Sequence, residues 1–316
     1  MAGNSADILV ADIGGSKSRF AVAAHGGRPH LIGRFDNDDV PSLDEAIARY
    51  LADTGAKPRV AVLSIAALIE GRTFVLTNRP DWRVDLDAIA RRFGFQRIEA
   101  LNDFEAVAHS LPRLAAEDLL TLGRPMPAGP GPKLVLGPGT GLGTASLIPI
   151  EGGWRVVPGE GGHATFGPRT AEEFPVFARL IEANGPLSVE TVLSGRGVVR
   201  LARALDPSTA HATPEAIVDG AMQGEPAASA TMRLFVQLMG RVAGDLALIV
   251  RASGGLYVGG GLGRGIGTLF TQPSFREGFE DHPPYQPWLA KVPTQLITYR
   301  DPGLLGCVVA AEKLLI

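Results

Sequence analysis

Along the first hundred residues, apolar positions gather in short runs separated by Gly, Asn and Asp. Residues 8–13, 19–24 and 30–35 read as successive strands of a meander, because short apolar runs bounded by turn formers favour strand. Ser42, with Glu45 three residues on, predicts a capping box and a helix to about Thr54. A strand over 59–66, a hairpin partner over 73–77, a helix over 86–93, a strand over 97–101 and a helix over 104–110 follow. Residues 123–132, rich in Pro and Gly, read as a linker.

After the linker the pattern starts again. Strands over 133–136, 143–149 and 154–157 form a second meander, with a Gly-rich first turn like the first one. Helices are predicted over 171–184, 189–205, 214–222 and 227–253. In the longest, Leu234, Leu238, Val242, Leu246, Ile249 and Val250 recur at spacings of three and four, the stripe of a mostly buried helix. A strand over 255–258, a glycine run, a strand over 294–299 and a helix over 304–315 close the chain. The order of elements repeats, although no residue-level repeat is visible.

Composition narrows the class. At 316 residues, two domains are the natural count, and 45% hydrophobic against 20% charged residues supports a sizeable core. Net charge is −3, without the basic excess of a phosphate-gripping nucleic-acid binder. Arg233, Arg241, Asp245 and Arg251 interrupt the most apolar long stretch, so no membrane span is expected. Residues 1–6 lack a basic region followed by an apolar run, so neither is a signal peptide. One cysteine, Cys307, precludes an internal disulfide framework and fits a reducing compartment, so a cytoplasmic protein is expected. Glycine (40) and proline (24) are in excess, which points to turns.

Several of those turns carry candidate chemistry. In Ala11-Asp12-Ile13-Gly14-Gly15-Ser16, two glycines let backbone N–H groups approach a phosphate, and the acid ahead of them suits a magnesium ion held through water. A tight hairpin with a solvated Asp explains the same residues. Gly137-Pro138-Gly139-Thr140-Gly141-Leu142-Gly143 has more glycine than a hairpin needs, and Thr140 adds a hydroxyl donor for a phosphoryl oxygen. A strand follows it rather than a helix, so it is not a dinucleotide fingerprint. Asn102-Asp103 sits at a strand's carboxyl end opening a helix, where Asp103 is either a cap or a general base for an alcohol. Glu160 and His163, between glycines, are candidate hydroxyl readers, as is Glu190 in a first helical turn where the dipole alone also favours an acid. Gly259-Gly260-Gly261 follows a late strand and suits packing under a flat ring. Strand alternation puts Lys17 and Arg19 on one face, facing either a phosphate or solvent.

Taken in order, ADIGGS, TNRPDW, LNDFEAVAHSLP, GPGTGLG, PGEGGH, ETVLSGRG, VGGG and DPGLLG resemble the bacterial glucokinase family of ATP-dependent hexose kinases over nearly the whole chain. The resemblance implies an α/β, two-lobed actin/hexokinase (ribonuclease H-like) fold with its active site in the interlobe cleft. The small lobe would be 1–111 with 299–316, and the large lobe 112–298. It implies transfer of the γ-phosphoryl group of ATP, with Mg2+, to the primary hydroxyl of glucose, giving glucose 6-phosphate at the entry to glycolysis. Ala11, Asp12, Ile13, Gly14, Gly15 and Ser16, with Thr140 and Gly141, would flank the triphosphate, Asp12 nearest the magnesium. Gly259, Gly260 and Gly261 would face the adenosine. Asn78, Asn102, Glu160, His163 and Glu190 would hold the sugar, and Asp103 would be the base. The family also suggests a homodimer, with no nucleic acid or membrane partner.

Two segments depart from the family pattern: Ser16-Lys17-Ser18 stands where Thr-Asn-Ala is usual, and Ala66-Ala67-Leu68 where a proline-containing turn is usual. The related ROK kinases carry a zinc-binding Cys cluster, which a chain with one cysteine does not have. A kinase for another hexose or amino sugar and a non-catalytic sugar sensor on the same fold remain the alternatives. Asp103, and the lack of a helix-turn-helix ahead of Ile8, speak against the sensor.

Overall fold

The computed structural model describes residues 8–67, 69–77, 79–209 and 211–315. Its contacts separate into two units, Met1–Leu114 with Tyr299–Ile316, and Ala115–Thr298.

The first unit contains β1 (Ile8–Ile13), β2 (Lys17–Ala23), β3 (His30–Asp36), α1 (Leu43–Thr54), β4 (Val60–Ile65), β5 (Thr73–Leu76), β6 (Arg79–Asp85), α2 (Leu86–Phe93), β7 (Arg97–Asn102) and α3 (Asp103–Ser110). The chain's last helix, α12 (Pro302–Glu312), completes it. Five strands form one sheet in the order β3-β2-β1-β4-β7, antiparallel through the meander and parallel across β1, β4 and β7. β4 is buried throughout and β1 nearly so, because their unbroken apolar sequences suit the centre of a sheet covered on both faces. Leu9, Ala11 and Ile13 join a core with α1, α2 and the β5–β6 hairpin. Ile8 and Val10 point the other way and join Ala106 of α3 with Leu304, Cys307, Val308 and Ala311 of α12. Asp12 lies in register with that second face, which carries it toward the start of α12.

Two expectations in this unit need correction. The hairpin partner of 73–77 is β6, not the strand over 59–66, which lies between β1 and β7. Only Trp82 and Val84 of β6 are well buried, so its polar composition hid it. At Ser42 the hydroxyl does accept from Glu45 N, but the Glu45 carboxylate turns to Arg92 at 2.6 Å instead of closing a capping box.

The second unit contains β8 (Leu119–Thr121), β9 (Lys133–Pro138), β10 (Leu142–Ile150), β11 (Gly153–Gly159), α4 (Phe174–Asn184), α5 (Val189–Val192), α6 (Gly195–Leu205), α7 (Pro214–Met222), α8 (Pro226–Val250), β12 (Gly255–Val258), α9 (Gly261–Ile266), α10 (Pro273–Glu280), α11 (Gln286–Leu289) and β13 (Thr294–Ile297). Its sheet runs β11-β10-β9-β12-β13-β8. Here too an antiparallel meander is followed by two parallel neighbours, so the repeated order of elements is a repeated topology. Leu134, Leu136, Leu256, Val258 and Leu296 face a core filled by the helices, α8 above all.

The helix expected over 189–205 is two helices. Ser194 breaks it, its hydroxyl accepting from Gly197 N as the cap of α6. Helices α9 to α11 open on Gly or next to Pro and carry no stripe long enough to read. No helix among the described residues is long and apolar enough to cross a membrane.

Candidate functional site

In the first unit, the turn between β1 and β2 is latched by Asn37, a fully buried residue. Gly14 N donates to Lys17 O at 3.0 Å, and Asn37 Nδ2 donates to Gly14 O at 2.8 Å and Gly15 O at 3.2 Å. Asn37 N also donates to Ser16 O at 2.8 Å, while Ser18 Oγ donates to Asn37 Oδ1 at 2.6 Å. A trans peptide sets each N–H opposite its carbonyl, so the N–H groups of Gly15 and Ser16 aim away from Asn37. That is the arrangement an anion requires of a glycine turn. The departure at Ser18 is accounted for by its bond to Asn37. Lys17 is exposed at the start of β2, one step along the same strand face from Arg19.

Asp12 is the penultimate residue of β1, beside this turn. Its Oδ2 accepts from Arg19 Nη1 at 3.0 Å and its Oδ1 from Ser64 Oγ at 3.4 Å. Arg19 Nε lies 3.6 Å from Asp301, a buried carboxylate that Arg34 also reaches at 3.2 Å. Burial raises the Asp12 carboxyl above its ordinary range, against the pull of Arg19 and with a push from Asp301.

Asn102 and Asp103 sit at the β7–α3 junction. Asn102 is the helix cap, its Oδ1 accepting from Phe104 N at 2.9 Å and Glu105 N at 3.4 Å. Glu105 returns the bond to Asn102 N at 3.3 Å, and burial raises its carboxyl. Asp103 is therefore not the cap. One of its oxygens accepts from Phe104 N at 2.9 Å, which fixes the rotamer of a half-buried acid. Asn78 lies outside the described residues, as does Leu68 of the Ala66-Ala67-Leu68 segment.

In the second unit, the β9–β10 turn holds Thr140 exposed at its tip. Gly139 N donates to Gly141 O at 2.8 Å, and Gly139 O accepts from Gly195 N at 2.9 Å, so the start of α6 braces the turn. Gly259 N donates to Leu136 O at 2.8 Å, and a side chain on Gly137 would strike the Gly259 backbone. Gly260 takes φ +83° and a Cβ there would meet Pro138 O at 2.5 Å, so this position requires glycine twice over. The two glycine runs thus lie backbone against backbone.

Beside them stand Glu160, His163 and Glu190. His163 Nε2 is 3.9 Å from Glu160 Oε2, and its Nδ1 is 3.8 Å from Glu190 Oε1. Glu160 and His163 are about 60% exposed and Glu190 31%, so all three are open to a ligand. Their segments are joined by backbone: Val189 N donates to Ala164 O at 2.9 Å and Phe166 N to Leu187 O at 3.0 Å. The hydroxyl of Thr144 bridges the loop to β10, accepting from Gly161 N and donating to Gly159 O. Asn37, Thr144 and the Arg19–Asp301 pair were not singled out in the sequence. Nothing local separates Asn37 from an ordinary turn Asn, and Thr144 reads as a routine strand residue.

The Glucokinase family profile matches residues 9–314. A glucokinase of Paramagnetospirillum magneticum is 38% identical over 95% of this chain and 95% of its own. The crystal structure of a glucokinase from an Antarctic psychrotroph superposes with a TM-score of 0.86 at 30% identity, over 97% of this chain and 98% of that one. A ROK family glucokinase from Streptomyces griseus, solved with glucose and AMPPNP, shares the fold at a TM-score of 0.64 and 22% identity, over 96% of this chain and 99% of that one. This chain, with its paired glycine turns on an actin/hexokinase-like fold, belongs to the glucokinase family.

Proposed function

We propose that the protein transfers the γ-phosphoryl group of ATP to the primary hydroxyl of glucose. The observation that carries this reading is the convergence of Glu160, His163 and Glu190, three solvent-accessible polar side chains with His163 3.9 Å from Glu160 and 3.8 Å from Glu190, beside a glycine-rich turn. Phosphoryl transfer needs mainly positioning and charge neutralisation, plus one carboxylate aimed at the nucleophile. Asp103 takes the hydroxyl proton as the sugar oxygen bonds to phosphorus and the bond to ADP breaks. Its place at the β7–α3 junction, where Asn102 serves as the helix cap, supports that assignment. Asn102, Glu160, His163 and Glu190 orient the sugar. The N–H groups of Gly15 and Ser16 and of Thr140–Gly141 donate to phosphoryl oxygens, Gly14 N being held by Lys17 O, and Gly259 to Gly261 pack against the adenosine.

Magnesium fits Asp12 here. The carboxylate is about a quarter exposed and is held in one orientation by Arg19 and Ser64, which suits an ion that keeps its waters and travels with the nucleotide. Bound there, it would neutralise charge on the phosphoryl oxygens. A cytoplasmic homodimer completes the reading, on the strength of the family resemblance and the use of ATP.

A coupled ADP-release assay across glucose, mannose, fructose and amino sugars tests the function. Glucose is expected to give the highest kcat/KM. A higher value for another sugar would make this a different hexose kinase, and binding without turnover would make it a sensor.

A further inference from the structure

Glu190 divides its carboxylate between two neighbourhoods. Oε2 accepts from Leu142 N, at the end of the glycine turn, at 3.2 Å, while Oε1 lies 3.8 Å from His163 on the sugar-reading side. The turn is shaped around that oxygen. A Cβ placed on Gly141 would fall inside contact distance of Glu190 Oε2, whereas one on Gly139, two residues earlier, would meet nothing within 4 Å. Gly141 is not among the glycines with positive φ, so it is Glu190, not backbone conformation, that leaves no room for a side chain there.

We propose that Glu190 is a positioning residue for the phosphate-receiving turn as well as a sugar ligand, so that sugar and nucleotide affinities are linked through one carboxylate. This rests on the glucokinase reading above. A sugar hydroxyl donating to Oε1 fixes the carboxylate's rotamer, and with it the seat of Oε2 under Leu142 N. The linkage is reciprocal: a nucleotide that orders the turn must raise sugar affinity by the same factor as sugar raises nucleotide affinity.

The test is glucose binding by calorimetry, with and without saturating AMPPNP, in the wild-type protein and in Gly141→Ala, Gly139→Ala and Glu190→Asp. Wild type is expected to bind glucose about 5-fold or more tightly with the analogue, the lower end of ordinary coupling. Gly141→Ala pushes Glu190 off its seat, so it should weaken glucose binding even with no nucleotide present. Gly139→Ala should bind glucose alone as wild type does. Glu190→Asp, one methylene shorter, spans only one of the two neighbourhoods, and its coupling should fall to within about twofold of unity whatever its glucose affinity. Unchanged glucose binding in Gly141→Ala, equal weakening in both alanine variants, or full coupling in Glu190→Asp would each overturn the proposal. A wild-type protein that binds glucose without coupling would overturn it and leave the functional reading standing. One that binds no glucose would overturn both.

Discussion

At the scale of single residues, chemistry depends on which carboxylates already have structural work. Asn102 caps α3 and Glu105 is turned back on Asn102 N, while Asp103, whose Oδ1 accepts from Phe104 N, is the first residue of the helix at the carboxyl end of β7. Asp103→Asn keeps size and polarity but removes the base. Glucose should still bind, while turnover should fall by about 10²–10⁴-fold. Near-normal turnover would sink the assignment. Lys17 poses a finer question, since strand alternation puts it on the side where Arg19 meets Asp12. Lys17→Ala should raise the apparent KM for ATP several-fold, more at low salt than at high, with little change for glucose. An ATP constant unmoved at both salt concentrations would assign Lys17 to solvent. Asp12, Asp103, Glu160 and His163 stood out as candidates in the sequence because each lies at a glycine turn or a strand end, and Glu190 because it lies in a first helical turn. Their partners did not, since Arg19–Asp301 joins positions at opposite ends of the chain.

At the scale of elements, the first glycine turn depends on a side chain outside it. Asn37 supplies two donors to the turn's carbonyls and accepts from Ser18. Asn37→Leu fills similar space but leaves the buried Ser18 hydroxyl and two part-buried carbonyls without these partners, at about 1–3 kcal/mol. Denaturant unfolding should show that loss, and the KM for ATP should rise more than that for glucose; equal effects on both would argue against a role confined to the turn. Helix α3 carries a second test. Burial, with a smaller contribution from Lys313, lowers His109 to a pKa of about 4. An unfolded histidine titrates near about 6.5, so between these values the unfolded chain binds the extra proton and stability rises with pH. The melting temperature should therefore fall as pH drops from about 6.5 toward 4, and His109→Gln should flatten that slope. A slope unchanged in the variant would assign the acid sensitivity to other groups. Elements with strong local signals, such as β1, β12, α2 and α7, were readable in place, because apolar runs or caps bound them at both ends. The polar β6 and the split at Ser194 were not, because burial of two side chains and one serine hydroxyl decided them.

At the scale of the whole molecule, the chain finishes where it started: α12 packs on β1, β4 and α3 of the first unit, although residues 115–298 form the second. The repeat of meander and parallel strands could be read from element order, whereas this return came only with the family resemblance, since α12 is apolar nearly all round and names no partner. Its closest approach is at Gly306, where a Cβ would drive into the backbone carbonyl of Ala106 in α3. The obstacle is backbone, so the two helices must separate, and overpacking of this kind lowers stability by about 1–3 kcal/mol. Because α3 opens with Asp103, separating the helices also moves the proposed base. Gly306→Ala should therefore lower both the melting temperature and kcat, with a smaller change in the KM for ATP. Gly303→Ala provides the comparison on the same helix: its Cβ would lie 3.7 Å from Asp12 and Ser64, ordinary contact, so it should melt near wild type. A Gly306→Ala protein that melts and turns over like wild type would mean that the spacing of α3 and α12 is not what sets Asp103.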